Sequence, residues 1–173
     1  MATTARSDRF IKGAGIASFV VGLVLLIAGV GTWTMVSSQL ADEQITVAED
    51  ARWFAGDQVR GPLTAYSQAD IINTHALAAT EGRTYAELGD AMSEVDPESE
   101  EFAELQEQRT TVMNASFLRA SLFTSVLAFG VSAMVMGLGV ILALTGLAIR
   151  KLALASWASR EQAGDEPKVA ASA

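Results

Sequence analysis

The sequence predicts an all-α membrane protein: an antiparallel two-helix transmembrane hairpin with a small, mostly helical extracytoplasmic domain and a second transmembrane helix that extends outward. Two apolar runs without any charged residue, 13–41 and 120–149, lie on either side of the middle of the 173-residue chain. A helix of about 20 apolar residues crosses a hydrocarbon core of roughly 30 Å, so each run is long enough to span a bilayer. The segment between the runs is strongly acidic, and basic residues flank the pair on both sides.

The distribution of charge predicts which side of the membrane each segment occupies. Segment 37–119 holds 16 acidic and five basic residues, whereas basic residues exceed acidic ones in both tails. Basic residues next to a span stay in the cytoplasm by the positive-inside rule, so both termini are expected there and the acidic segment outside. The residues that set this orientation are Arg6, Arg9, Lys12, Arg150 and Lys151.

These boundaries divide the chain into five segments. They are a cytoplasmic basic tail (1–12), a first transmembrane helix (13–36), an acidic extracytoplasmic domain (37–119), a second transmembrane helix (120–149) and a cytoplasmic tail (150–173). A cleavable signal peptide is the alternative interpretation of the first run. That run exceeds the about 7–15 apolar residues of such peptides, and Gln39 disrupts a small-x-small site ending at Ala41. We therefore expect an uncleaved anchor behind an unstructured first tail.

Helix signals begin in the first half of the acidic segment. A short β-favourable patch, residues 45–48, is expected to remain an extended loop because it is brief and isolated. Gly61 and Pro62 end that stretch and start a helix over residues 63–79, since proline fits the first helical turn. The expected buried face of this helix consists of Leu63, Tyr66, Ala69, Ile72 and Ala76.

Two further helix starts follow. Thr84 and Glu87 match a capping box for a short helix that ends near Met92. Asp96 as the cap and Pro97 at the first helical position then start a long helix. No glycine or proline follows until the second apolar run has begun, so this helix should continue into the second span. Its expected inner face consists of Phe102, Leu105, Arg109, Val112, Ser116 and Ala120.

Small residues recur every seven positions on one face of each apolar run. They are Gly15, Gly22 and Gly29 in the first run and Ser125, Ser132, Gly139 and Gly146 in the second. The pairs at matched depth in an antiparallel hairpin are Gly15 with Gly146, Gly22 with Gly139, and Gly29 with Ser132. This spacing predicts a helix-packing seam, because small residues let helix backbones approach closely. The alternative is that glycine is simply frequent in transmembrane helices. A second stripe, with Gly130 and Gly137, could meet another subunit.

Three residues at the predicted membrane interfaces are candidate anchors. Trp33 and Trp157 lie near the ends of the two runs, and their amphipathic rings favour the headgroup region. Arg119 lies at the outer mouth of the second run, where the positive-inside rule disfavours a base. Two roles for Arg119 remain open: binding of lipid phosphate, or an ion pair with an outer acid such as Asp50 or Asp57.

The inventory of reactive residues excludes several function classes. Neither apolar run holds an ionisable residue, which argues against a pump or an ion-coupled carrier. The chain has no cysteine, and its single histidine, His75, cannot by itself supply the two histidines of a facial iron site. His75 is therefore interpreted as a surface or packing residue. The acidic segment disfavours nucleic acid as a partner. We expect neither a catalytic residue nor a cofactor.

A glutamate face on the long helix is a candidate for a basic partner or a divalent cation. It consists of Glu100, Glu104 and Glu107. It lacks the ligand spacing and the turn glycine of a calcium loop. A solvated acidic face is therefore the default interpretation.

Four segments resemble a known family. They are ADEQITVAED (41–50), GPLTAYSQAD (61–70), GRTYAEL (82–88) and ASFLRASLFTS (115–125). In this order between two spans, they resemble a family of small bacterial two-span membrane proteins of unestablished function, some of which carry the name aromatic ring-opening dioxygenase. With this resemblance, the predicted location is the bacterial cytoplasmic membrane. Ring-opening dioxygenases of the usual kind bind iron through histidines, so a chain with one histidine gives that name no support.

Together, these features predict a non-enzymatic integral membrane protein. We expect an accessory or assembly subunit that presents its extracytoplasmic helical domain to a larger membrane or envelope complex. Its expected partners are the lipid bilayer and either a membrane protein or further copies of the chain. An extracytoplasmic ligand or cation sensor is the alternative, and an enzyme is the third hypothesis.

Single cysteines test the predicted orientation against a clean background, because the chain contains none. Ser93→Cys should react with a membrane-impermeant maleimide on intact cells, since the acidic segment is predicted to lie outside. Ser172→Cys is the matched control and should react only after the cells are opened. The reverse labelling pattern would invert the topology.

Overall fold

A computed structural model describes the backbone of residues 2–164 and the side chains of residues 10–155. Its helices are α1 (Ala2–Asp42), α2 (Pro62–Ala79), α3 (Tyr85–Ser93) and α4 (Glu100–Gly164). Among these residues there is no strand, and β pairing is limited to an isolated bridge between Thr46 and Gln58. The all-helical class is therefore confirmed. Trp157 falls within α4, but its side chain lies outside the described residues.

Two of the helices are long and apolar enough to cross a membrane. The candidate segments are Phe10–Asp42 and Glu100–Ala155, each with a mean hydropathy of 2.4 in its apolar window. Both exceed the about 20 residues that a span requires. Only 17% of each window is buried within the protein. Most of the apolar surface of both helices therefore faces outward.

The chain divides into two compact units. The two-helix unit comprises Met1–Val30 and Ala133–Ala173, and the α2–α3 unit comprises Gly31–Ser132. α1 and α4 each contribute a part to both units.

Glycines bring α1 and α4 into backbone contact in the two-helix unit. A Cβ atom on Gly22 would lie 2.5 Å from the backbone nitrogen of Ala143 and 2.6 Å from the carbonyl oxygen of Gly139. A Cβ atom on Gly146 would lie 2.5 Å from the carbonyl oxygen of Gly15. Residue numbers rise along α1 as they fall along α4, so these segments pack antiparallel. A side chain at these positions would push the two backbones apart.

The other small residues of the predicted seam differ in their surroundings. The hydroxyl of Ser18 donates to the carbonyl oxygen of Leu142 at 2.9 Å, which adds a polar contact between the same two helices. Gly29 and Ser132 are both buried, but they belong to different units. The hydroxyl of Ser132 donates within its own helix, to Ala128 at 2.8 Å.

α1 begins at Ala2, so the expectation of an unstructured first tail is not met. No glycine or proline precedes Gly13, and alanine and arginine are good helix formers. Once the apolar run is helical, each added residue gains one hydrogen bond without a new nucleation step. α1 also continues past its predicted end, to Asp42.

The main core of the α2–α3 unit forms where α1, α2 and α4 meet. Its buried residues are Leu40, Val47, Val59, Ala65, Ala69, Leu122 and Phe129. The ring of Trp33 packs edge-on against Phe129, with 4.7 Å between the ring centroids. The alanines of α2 leave room for the larger side chains of α1 and α4, which is how a close-packed core fills its space.

The segment between α1 and α2 folds back as a loop whose two arms are hydrogen-bonded. The amide of Val47 donates to the carbonyl of Asp57 at 2.9 Å, and the amide of Val59 donates to the carbonyl of Ile45 at 2.8 Å. These bonds bring both valines into the core, where they are 1% and 0% exposed. At the tip of the loop, Phe54 has a φ of 59°, which is uncommon for a bulky residue.

α2 starts and ends as the sequence predicts. It begins at Pro62, and the hydroxyl of Thr64 accepts a hydrogen bond from the amide of Gly61 at 3.2 Å. At the other end, Gly82 has a φ of 84° and donates its amide to the carbonyl of Leu77 at 2.7 Å. A glycine in this left-handed conformation closes a helix by satisfying one of its last carbonyls.

The buried face of α2 differs from the predicted one. The buried residues are Ala65, Ser67, Ala69, Ile71 and Ala76. Leu63 and Tyr66, predicted to be buried, are 65% and 46% exposed. α2 contacts the loop as well as α4, since the hydroxyl of Ser67 donates to the carbonyl of Trp53 at 2.6 Å. A helix covered from two directions does not follow a single apolar stripe.

α3 begins at the predicted capping box and packs on α4. The hydroxyl of Thr84 accepts from the amide of Glu87 at 3.4 Å, and the Glu87 carboxylate accepts from the amide of Thr84 at 2.8 Å. A second small core joins the two helices through Leu88, Leu105 and Val112. Ser116 and Ala120, predicted to lie on the buried face of α4, are exposed, whereas Ala115 is buried.

α4 begins later than predicted, at Glu100. The hydroxyl of Ser99 accepts from the amide of Phe102 at 3.1 Å and caps the helix. Asp96 and Pro97 lie in the preceding turn, where the amide of Ser99 donates to the carbonyl of Asp96 at 2.9 Å. The carboxylate of Asp96 accepts from the amide of Glu98 at 3.0 Å, so Asp96 caps this preceding turn. The predicted helix start at Asp96 is therefore wrong, because a second capping residue, Ser99, follows it within one turn.

Gly22→Ala should weaken the contact between α1 and α4, since the added Cβ would overlap backbone atoms of α4. Overpacking of this kind costs about 1–3 kcal/mol, so the melting temperature in detergent should fall. Gly137→Ala is the matched control, because a Cβ there meets nothing within 4 Å and carries the same gain in helix propensity. Equal melting temperatures for the two variants would mean that close backbone contact does not hold the helices together.

Candidate functional site

A cavity of about 510 Å³ lies between α1, α2 and α4 in the α2–α3 unit. Its lining residues are Val36, Gln39, Leu40, Glu43, Ile45, Gln68, Ile72, Leu118, Ser121, Leu122 and Ser125. The side-chain oxygen of Gln68 accepts from the amide of Ala48 at 3.0 Å, which fixes this side chain at the cavity wall. Mostly apolar walls with a few fixed polar groups are typical of binding pockets of this volume.

Exposed apolar side chains continue from this cavity along α4. Leu118 lines the cavity and is 54% exposed, and the adjacent Phe117 is 65% exposed. A second cavity of about 410 Å³ shares Ile72 and Leu118 with the first and reaches Asn114 and His75. Contiguous exposed apolar surface marks an interaction site more often than single exposed residues do. We call the first cavity together with Phe117 and Leu118 the α4 groove.

The histidine of the chain pairs with an aspartate of the loop. Nε2 of His75 lies 2.7 Å from Oδ2 of Asp50. The hydrogen bond from His75 lowers the pKa of Asp50 below its ordinary value of 3.8, because it stabilises the ionised carboxylate. Both side chains are largely solvent-exposed. The pair links the loop to α2.

Arg119 lies over an aromatic ring and makes no ion pair among the described residues. Its guanidinium carbon lies 5.8 Å from the ring centroid of Phe123, which in turn packs edge-on against Tyr66 at 6.0 Å. Nε of Arg119 is buried without a hydrogen-bond partner. No carboxylate lies within 4 Å of Arg119 in the described part of the chain. The predicted alternative of an ion pair with Asp50 or Asp57 is therefore wrong.

Trp33 borders a third cavity, of about 690 Å³, at the start of α2. Its other lining residues are Asp57, Gln58, Arg60, Gly61, Pro62, Leu63 and Thr64. The hydroxyl of Ser37 donates to the carbonyl of Arg60 at 2.7 Å. The start of α2 therefore lies beside α1, one helical turn beyond Trp33.

α3 is held on α4 by polar contacts as well as by the second core. The guanidinium carbon of Arg109 lies 4.1 Å from the ring centroid of Tyr85, and Gly89 lies against the same side chain. The side chain of Arg83 donates to Gln108 at 2.9 Å. These contacts use two arginines of the acidic segment to attach α3.

The predicted glutamate face stays open to solvent. Glu100, Glu104 and Glu107 are exposed in the first turns of α4. The side chain of Gln108 donates to Glu104 at 3.5 Å. Among residues 10–155, no group of three or more His, Asp or Glu side chains comes together in a way that could hold a metal ion.

The tip of the loop is a feature that the sequence interpretation missed. Trp53 and Phe54 are 50% and 42% exposed, and the guanidinium carbon of Arg52 lies 5.0 Å from the ring centroid of Trp53. The bond from Ser67 to the Trp53 carbonyl holds this tip on α2. The signal that could have found it is a base followed by two aromatic residues within an otherwise acidic segment.

Comparisons with protein-family models, with curated proteins and with solved structures find no match to this chain. The surfaces described above are therefore the basis for a functional hypothesis.

Stability should decrease at acidic pH partly through Asp50. Because the pKa of Asp50 is lowered in the folded protein, its stabilising contribution is complete above the ordinary value of 3.8 and is lost as the pH falls through the lower, folded-state pKa. Asp50→Asn should remove this part of the pH dependence of the melting temperature in detergent. Asp70→Asn is the matched control, since Asp70 is an exposed aspartate on α2 without an ion pair among the described residues. Identical pH profiles for the wild type and Asp50→Asn would contradict a stabilising role of the His75 bond.

Proposed function

We propose that this chain is a non-enzymatic two-span membrane protein that acts as an accessory or assembly subunit of a larger membrane or envelope complex. α1 and α4 form an antiparallel transmembrane hairpin, and the α2–α3 unit docks on the complex outside the cytoplasm. The basic flanks of the two apolar runs keep both termini in the cytoplasm. The bacterial cytoplasmic membrane is the proposed location.

The exposure of the apolar helices carries this proposal. Only 17% of the apolar window of each helix is buried, whereas the core helix of a soluble domain is mostly buried. Large exposed side chains on these helices include Ile16, Val20, Val24, Ile27, Met134, Ile141 and Leu144. Surfaces of this size require lipid or protein around them, since large exposed apolar patches are unfavourable in water.

The α4 groove supports a protein partner for the α2–α3 unit. Phe117 and Leu118 are exposed beside an apolar cavity, and large apolar anchors seated in pockets dominate the energy of most interfaces. Three exposed glutamates near the start of α4 favour a partner with basic residues beyond the groove, because charge complementarity steers association. They are Glu100, Glu104 and Glu107.

The polar groups of the cavity favour binding over catalysis. They are amides, hydroxyls and a single carboxylate: Gln39, Glu43, Gln68, Ser121 and Ser125. The His75–Asp50 pair lies outside this lining and is open to solvent on both sides of the bond. Catalytic acid–base groups are usually held in a cleft that shifts their pKa values toward the working pH.

Photo-crosslinking in intact cells tests the docking role. A benzophenone amino acid in place of Phe117 should give a discrete crosslinked protein, identified by mass spectrometry as the same partner in repeated extractions. Leu118→Asp should abolish this product, because a charge in the groove removes the apolar anchor. Leu63, which is equally exposed at 65% but lies outside the groove, provides the matched position for a control crosslinker.

Two outcomes would count against an accessory subunit. A product that contains only a second copy of this chain would identify a homo-oligomer instead. Crosslinks to lipid alone, with no reproducible protein at Phe117, would remove the partner from the proposal.

A further inference from the structure

Acids outnumber bases in the acidic segment by 16 to five, yet among the described residues only Arg83 of its five arginines lies within 4 Å of a carboxylate. Of the other four, Arg109 lies over Tyr85 of α3, and the remaining three are Arg52, Arg60 and Arg119. The other two bases of the segment, Arg83 and Arg109, are engaged with α3 and its surroundings. Arg52, Arg60 and Arg119 are therefore free of both an ion pair and a contact with α3 among the described residues.

Aromatic contacts connect Arg119 to α2. The guanidinium of Arg119 lies over Phe123, and Phe123 packs edge-on against Tyr66. Phe123 and Tyr66 remain 38% and 46% exposed. Nε of Arg119 is buried without a hydrogen-bond partner, and the residue as a whole is half-buried.

A second set of contacts connects Arg52 to the same part of α2. Ser67, next to Tyr66 in the chain, donates its hydroxyl to the carbonyl of Trp53 at 2.6 Å. The guanidinium of Arg52 lies 5.0 Å from the ring centroid of Trp53, which is 50% exposed. Arg52 and Arg119 therefore each combine a cation with an exposed aromatic ring.

Arg60 lies at the start of α2, beside the outer end of the apolar part of α1. Its carbonyl accepts from Ser37, and it shares a cavity with Trp33 and Leu63. Leu63 is 65% exposed. Asp57 also lines this cavity, but it does not come within 4 Å of the guanidinium. The exposed apolar surface of α1 therefore continues onto α2 next to an unpaired arginine.

We propose that these residues form a collar that binds the phosphate groups of phospholipids in the outer leaflet. The collar consists of Arg52, Trp53, Arg60, Leu63, Tyr66 and Arg119. Guanidinium groups bind phosphate oxygens through paired N–H donors, and tryptophan and tyrosine favour the depth of the headgroups. The collar rests on the proposed function, because it requires α1 and α4 to span the bilayer.

The combination of arginines with exposed aromatic rings supports a lipid as the occupant. An acidic protein surface would be repelled by an anionic leaflet, whereas arginines at the surface attract it. The glutamates of α4 lie next to Leu105 and Gln108, which contact α3 and Arg83, whereas Arg119 contacts Phe123 near α2. The unpaired arginines and the exposed aromatic rings occur together where α1 and α4 become apolar, which is the chemistry of a headgroup layer.

Tryptophan fluorescence in reconstituted full-length protein tests the collar. The chain has three tryptophans, so Trp33→Phe with Trp157→Phe leaves Trp53 as the reporter, and Trp53→Phe with Trp157→Phe leaves Trp33. In vesicles of phosphatidylglycerol and phosphatidylethanolamine with a nitroxide on the headgroup, Trp53 should lose as large a fraction of its fluorescence as Trp33. Ser93→Trp in a background without the native tryptophans is the control and should not be quenched.

The lipid dependence is tested by removing the arginines. The triple variant Arg52→Gln, Arg60→Gln, Arg119→Gln should retain less phosphatidylglycerol in native mass spectrometry, by about fivefold for each arginine removed. Arg83→Gln with Arg109→Gln should retain as much as the wild type. Replacing the same three arginines by lysine should restore part of the retention, which separates loss of charge from loss of folding.

The possible results distinguish failure of the collar from failure of the proposed transmembrane helices. If Trp33 is quenched and Trp53 is not, the collar is overturned and the spans stand. If neither is quenched, the proposed function itself fails. Equal lipid retention by the triple variant and by Arg83→Gln with Arg109→Gln would also overturn the collar. Recovery of Trp53 fluorescence on addition of inorganic phosphate would overturn it as well.

Discussion

Direct contact between the backbones of α1 and α4 is the interaction on which the two-helix unit depends. Gly22 and Gly139 leave no room for a Cβ, so the helices meet through main-chain atoms and Cα–H groups. Their outward faces are exposed, and lipid tails are as apolar as leucine. In the lipid proposed to surround these helices, burial of apolar side chains would give little preference for one partner. Dispersion between closely packed backbones and the bond from Ser18 to Leu142 supply the preference instead.

The same two helices supply one side of the α2–α3 core, and this constrains how α2 and the loop fold. Leu40, Leu122 and Phe129 present large side chains, against which α2 offers alanines. The loop reaches the core because its two arms are hydrogen-bonded to each other, and Ser67 holds its tip. α2 is thus enclosed on two sides, which leaves Leu63 and Tyr66 exposed. This packing thus places Leu63 and Tyr66, two residues of the proposed lipid-binding collar, at the surface.

Two different faces of α4 carry side chains of different chemical character. Leu118 and Ser125 line the groove, whereas Arg119 and Phe123 lie on the opposite flank, since successive residues of a helix are about 100° apart. The groove is apolar with amide and hydroxyl groups, which suits a side chain of a partner protein. The flank combines a guanidinium with aromatic rings, which suits a lipid phosphate. Under the two proposals, α4 contacts a partner protein through one face and lipid phosphate through another, and neither contact blocks the other.

Local signals explain how much of the fold the sequence predicted. The two apolar runs, Pro62 at the start of α2 and the Thr84–Glu87 box at the start of α3 act within one or two turns, so their effect is readable along the chain. Competition between two equally local signals explains the main error at a helix start. Asp96 and Ser99 can both cap a helix, and the sequence alone does not rank them. The seven-residue spacing of glycines is likewise a local pattern, and the structure brings Gly15, Gly22, Gly139 and Gly146 into contact.

The sequence by itself therefore determined the helical class, two apolar helices of sufficient length to cross a membrane, and the sorting of charge among the segments. Only the tertiary structure decided that Asp50 bonds to His75, that Arg119 has no acidic partner among the described residues, and that α2 leaves Leu63 and Tyr66 exposed. Each of these depends on the contact between segments distant in the chain. Asp50 and His75 are 25 residues apart in the sequence, as are Arg83 and Gln108. Packing of the core brings the members of each pair together, and no neighbouring residue in the chain predicts this contact.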